Sequence, residues 1–170
     1  MGFIFGFIYL VVNAGAQKPF VAVLIRILAV LAFLIGMILI RKYPYNEFAS
    51  VEGSMQPFGK KYALIVVVEA ALLLAGVIAC SSIFHNQTLI VTWISLIVGI
   101  HFIFLANVWH LAAIRILGLT IALCGVAGYV ALELHASRAL VTLIAGILPG
   151  VSLFVFSYYS LVGNIKQLHS

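Results

Sequence analysis

The stretch TLIVTWISLIVGIHFIFLANV, residues 88–108, carries a single ionisable side chain, His101. A helix needs about 20 consecutive, mostly apolar residues to cross a bilayer core. This run is long enough, and it lacks the period-two alternation of a membrane-barrel strand. It reads as a transmembrane helix, with its histidine well away from either end. Runs of the same kind flank it at about 2–16, 20–40, 62–84, 111–133 and 139–162, the first of them short. The expected fold is an all-α integral membrane protein: one transmembrane domain over residues 1–170, built as a six-helix transmembrane bundle.

Composition agrees. Hydrophobic residues make up 65% of the chain and charged residues 8%, with a mean hydropathy of +1.28. That is too little charge to cover a soluble domain. The net charge of +5 does not point to nucleic acid, because the basic residues stand at the ends of apolar runs and form no solvated stripe. Arg41, Lys42, Lys60, Lys61, Arg115 and Lys166 fall on one side of a six-crossing chain, and Lys18 and Arg138 on the other. The positive-inside rule then puts both termini in the cytoplasm. Trp109 at that face and Trp93 toward the other fit interfacial anchors. The N-terminus has no basic region ahead of its apolar run, so it does not read as a signal peptide, and Gly6 occupies the position that favours Ser or Thr in a myristoylation signal. Asn86-Gln87-Thr88 is a formal glycosylation sequon on the outer side.

The connector at 41–61 is expected to be cytoplasmic. Phe48, Val51, Met55 and Phe58 recur at spacings of three and four, which suits a segment lying on the membrane surface. Gly53 and Pro57 weaken that helix, and an ordinary hydrophilic loop is the equal alternative. IRILAVLAFLIG (25–36) aligns without a gap to IRILGLTIALCG (114–125). An inverted three-plus-three repeat, an arrangement used by many transporters, would make the second and fifth helices equivalent. The match does not extend to the other helix pairs.

Small residues recur at helical spacing: Ala71, Ala75 and Ala79 in the third helix; Ser95 and Gly99 in the fourth; Gly118, Ala122 and Gly125 in the fifth; Gly146 and Gly150 in the sixth, around a kinking Pro149. Close backbone approach is what holds membrane helices together, so these stripes are expected to pack the bundle, with a homo-oligomer contact as the alternative. Cys80 and Cys124 are isolated and read as packing residues.

Ionisable groups inside a span are costly and mark site candidates. Glu69 and His101 each lie about seven residues in from the cytoplasmic end of their helices, roughly 10 Å deep, and Arg115 lies about four residues in, roughly 6 Å. Tyr158 and Tyr159 come near the same end of the last helix. A carboxylate beside an imidazole suits a proton relay or a coupled gate, because histidine is the side chain that ordinarily titrates near neutral pH. Arg115 would tune the pair or snorkel to the interface. The structural alternative has equal weight: a Glu–His or Glu–Arg pair that only fixes which helices touch. On ideal helices Glu69 points away from the alanine stripe and His101 away from Gly99. Arg26 lies too far in height to reach Glu69, and Glu133 matches its level better. His85, His110, His135 and His169 stand at edges or in the tail with no partner at metal-ligand spacing, so no cofactor or metal is expected.

Glu69 in one span, followed in the next by Trp93, Val98, Gly99, His101, Phe102, Leu105 and Ala106 in the pattern W-x4-VG-x-HF-x2-LA, resembles a group of small bacterial multi-pass membrane proteins without an assigned activity. The likeness covers about a third of the chain, and Phe104 and Asn107 stand where the group has a proline and a basic residue. It implies a bacterial inner-membrane protein and brings no activity. Three functional classes remain. The favoured one is a small transporter or proton-linked permeation protein using Glu69, His101, Arg115 and Tyr158. The second is a structural or accessory subunit whose polar residues lock the bundle and whose apolar surface binds a membrane partner. The third and weakest is a lipid-acting enzyme. The expected partners are the lipid bilayer and a second copy or partner subunit, with no nucleic acid.

Overall fold

The computed structural model describes residues 2–43 and 60–168. They form an all-α bundle of six helical segments with no strand among the described residues. Helix α1 spans Gly2–Asn13 and ends in a 3-10 turn at Ala14–Ala16. Helix α2 spans Pro19–Lys42, α3 Lys60–Ile78 with a π-helical turn at Ala79–Ile83, α4 Gln87–Trp109 and α5 Ala112–Glu133. Helix α6 is continuous over 138–168, with a π-helical turn at Leu143–Ile147 just before Pro149. Five of the six, α2 to α6, are long and apolar enough to cross a membrane, and α1 is shorter. The expected amphipathic segment built on Phe48, Val51, Met55 and Phe58 lies outside the described residues.

Local chemistry sets the helix ends. Pro19 opens α2, where its missing N–H costs nothing. Asn86, the sequon asparagine, is the N-cap of α4 and accepts from the backbone N–H groups of Thr88 and Leu89 at 3.0 and 3.3 Å. Ser137 caps α6 in the same way through Leu140 N at 3.3 Å. His85, His110 and His135 close α3, α4 and α5 in the left-handed backbone region, which glycine usually fills at helix C-termini.

Packing runs in the order α2, α1, α6, α5, α4, α3. The tightest seam is α4 on α5, made by the expected small residues. A Cβ on Gly99 would lie 2.6 Å from Ala122 Cα, one on Gly125 2.6 Å from Leu96 N, and one on Gly118 2.8 Å from Gly99 O. Helix α6 uses Gly146 and Gly150 to receive α1, with Asn13 and Leu10 filling the space. Among the described residues the alanine stripe of α3 behaves differently: Ala71 and Ala75 are exposed. The packing face of α3 is Tyr62, Val66, Glu69, Leu73, Gly76 and Cys80, alternating at four and three residues. Gly76 there accommodates the Trp93 indole, whose Nε1 donates to Leu72 O at 3.1 Å. Trp93 therefore works in the α3–α4 seam.

Pro149 has no N–H to give the Ala145 carbonyl four residues back. Ser95 Oγ, fully buried on α4, donates to that carbonyl instead and ties α4 to α6. The neighbours of the two helices matched in the repeat differ. Helix α5 packs between α4 and α6, whereas α2 packs on α1 and touches α6, with α3 elsewhere. The packing does not carry the three-plus-three equivalence.

Candidate functional site

Helix α4 is sandwiched between α3 and α5, and so it has two working faces. Gly99 faces α5; His101, two residues on and most of a half-turn round, faces α3. There its Nδ1 lies 2.8 Å from Glu69 Oε2, with side-chain exposures of 11% for His101 and 18% for Glu69. The carboxylate oxygen lies off the line needed for a well-formed hydrogen bond to Nδ1, so the contact is a close approach. The different orientations of Glu69 and the alanine stripe, and of His101 and Gly99, are thus reconciled by the central position of α4.

The pair borders a cavity of about 610 Å³ enclosed by α1, α3, α4, α5 and α6. Tyr62 and Trp109 stack at its connector end, their rings 6.0 Å apart and 18° from parallel. Glu69 is seven residues along α3 from Tyr62, or roughly 10 Å deeper. The walls are largely apolar, with Phe102 and Phe156 prominent. Helices α1 and α3 both line the cavity, and the lining residues Phe5 and Ile8 of α1 are 47% and 49% exposed.

Tyr9 of α1, which the sequence reading passed over, is among the residues lining the cavity. It is 8% exposed, and its hydroxyl has no hydrogen-bond partner. The hydroxyl is directed at Ser95, short of a well-formed bond, and the Ser95 proton goes to Ala145. Leaving a buried hydroxyl unpaired costs on the order of 1–3 kcal/mol. The signal in the sequence was a tyrosine at helical spacing from Gly6 and Asn13 in an otherwise apolar run.

The other candidates go elsewhere. Arg115 is exposed and donates to Asn107 Oδ1 at 2.7 Å, away from the cavity. Tyr158 donates to Ala32 O and ties α6 to α2, and Tyr159 is exposed. Arg26 Nε reaches Val11 O at 3.4 Å, at the end of α1. Glu133 lines a separate recess of about 500 Å³ with Asn86 and His135. Among the described residues no three His, Cys, Asp or Glu side chains are grouped to hold a metal ion.

The fold and cavity define a polytopic α-helical membrane protein with a carboxylate–imidazole pair inside its bundle. Comparison with protein-family models, curated proteins and solved structures gave no match.

Proposed function

We propose that this chain is a small bacterial inner-membrane transporter or proton-linked permeation protein, with Glu69 and His101 as its titrating pair. One observation carries the reading: the pair touches and lines a cavity, where a purely structural pair would be sealed in the core. Intramembrane ionisable groups that face a cavity are the usual parts of proton and substrate paths. The basic cluster Arg41, Lys42, Lys60 and Lys61 supports a cytoplasmic connector, and hence a cavity that opens toward the cytoplasm. The group resemblance supports the bacterial inner membrane.

The test is flux in proteoliposomes loaded with a pH-sensitive dye. Wild type should carry protein-dependent proton flux under an imposed potential, and Glu69→Gln should abolish it while keeping monodisperse elution and helix content. Unchanged flux in Glu69→Gln would overturn the reading. A second reading has one observation behind it: α3 packs chiefly on α4, and the Glu69–His101 contact bridges those two helices. If the pair is only a lock, Glu69→Gln lowers stability and no flux is seen in either protein.

A further inference from the structure

We infer that the end of the bundle where α1, α2 and α6 meet binds the phosphate of an acidic phospholipid, held by Arg26 with Lys18 and Arg138. Arg26 lies seven residues into α2 from Pro19, roughly 10 Å along a span with no other charge before Arg41. Side chains lean toward the N-terminus of their helix, which for α2 is the turn from α1. The contacts of Arg26 agree. Its Nε reaches Val11 O at 3.4 Å, and a Cβ on Gly15, two residues before Gln17, would lie 3.4 Å from its Nη2. A guanidinium has five N–H donors, and among the described residues only Nε has an acceptor. The other four, on the two Nη atoms, form the fork that takes a phosphate through two parallel bonds.

Two more cations stand at the same corner. Gln17 Nε2 donates to Ala139 O at 2.8 Å, and the turn Ala14–Ala16 packs on α2 and on the start of α6. Lys18 follows Gln17 and Arg138 precedes Ala139, so one bond sets both beside the turn that Arg26 touches. Both side chains are exposed. Among the described residues the one close contact of a carboxylate with a basic side chain is that of Glu69 with His101, so the three cations have no protein counter-ion. A charge inside a span needs a partner, and the phosphate level of the bilayer supplies one. Phe20, Val23, Ile27 and Leu140, near the starts of α2 and α6, are exposed and offer apolar area to acyl chains. A zwitterionic lipid would bring its own ammonium to three cations, whereas an acidic lipid brings only the negative charge.

The probes are dioleoyl phosphatidylglycerol and dioleoyl phosphatidylcholine, which share acyl chains and phosphate and differ in the ammonium. Each is titrated into the purified, delipidated full chain in mild detergent, and binding is read by native mass spectrometry. Phosphatidylglycerol should bind at least about tenfold more tightly. Arg26→Gln should weaken it by about tenfold or more, the scale of a lost charge-assisted bond, and leave phosphatidylcholine nearly unchanged. Lys18→Gln combined with Arg138→Gln alters exposed side chains only, so the fold is kept, and it should weaken phosphatidylglycerol several-fold. Arg41→Gln combined with Lys42→Gln, at the other end of α2, should keep the preference. Equal affinity for the two lipids, full phosphatidylglycerol affinity in Arg26→Gln and in the Lys18/Arg138 variant, or an equal loss in the Arg41/Lys42 variant would overturn the inference. Displacement of the lipid by an equal concentration of sn-glycerol 3-phosphate would overturn it too, by making the ligand a free phosphate.

Discussion

Glu69 on α3 and His101 on α4 meet at 2.8 Å because Glu69 shares a face with Gly76, seven residues on. Gly76 lets the Trp93 indole of α4 lie against α3, and that brings the two helices together along the line that also carries the pair. Two turns of α3 thus connect a packing device to a chemical one.

Replacing one member of the pair tests how much it holds. His101→Leu leaves Glu69 in a largely apolar setting without its neighbour, whereas Glu69→Gln leaves an amide that can still bond the ring. Fully buried pairs lose about 3–5 kcal/mol when one partner goes. Contact with a cavity reduces this, and His101→Leu is expected to cost roughly 1–3 kcal/mol, with Glu69→Gln costing less. Unfolding followed by tryptophan fluorescence in mild detergent ranks them.

The α4–α5 seam is the least tolerant part of the bundle. Gly99→Ala places a methyl 2.6 Å from Ala122 Cα, against backbone that cannot yield cheaply. A loss of about 1–3 kcal/mol or more is expected from overpacking. Ala75→Leu, on the exposed stripe of α3, should stay within about 0.5 kcal/mol in dilute monomer. Equal tolerance at the two positions would contradict the packing order.

Ser95 and Pro149 form a compensating pair. Ser95→Ala orphans the buried Ala145 carbonyl and should cost about 1–3 kcal/mol. Pro149→Ala supplies an N–H four residues beyond that carbonyl, so the double variant should recover part of the loss. A double-mutant cycle measures the coupling, and strictly additive effects would argue against the account.

Arg115→Gln separates the structure from the sequence expectation. The guanidinium bonds Asn107 on the bundle exterior, so proton flux should stay within about twofold of wild type, well under the 1.4 kcal/mol that a tenfold change represents. A loss as deep as that of Glu69→Gln would bring Arg115 back to the site.

Much of this was legible in the sequence, for physical reasons. Span positions follow from apolar length, since a bilayer leaves the backbone few options other than a helix. The glycine seams of α4, α5 and α6 were readable because close approach needs small residues. Glu69 and His101 were singled out as ionisable groups at matching depth. What escaped depends on which neighbour each face receives. The alanines at 71 and 75 look like an interface but face outward, because Gly76 takes the indole on the opposite side. Arg115 had the right depth and the wrong azimuth. Tyr9 was hidden because a lone tyrosine in a short apolar helix looks like packing, and its significance lies in a hydroxyl left without a partner.

The most direct measurement is the 15N spectrum of the His101 ring in lipid bilayers, recorded as the bulk pH is varied and assigned by subtracting the His101→Asn spectrum. If the pair is a cavity-facing titrating site, the ring passes from neutral to protonated forms with bulk pH, and Glu69→Gln moves that transition. A His101 signal that stays in one form across the whole range, with or without the Glu69 carboxylate, would contradict it.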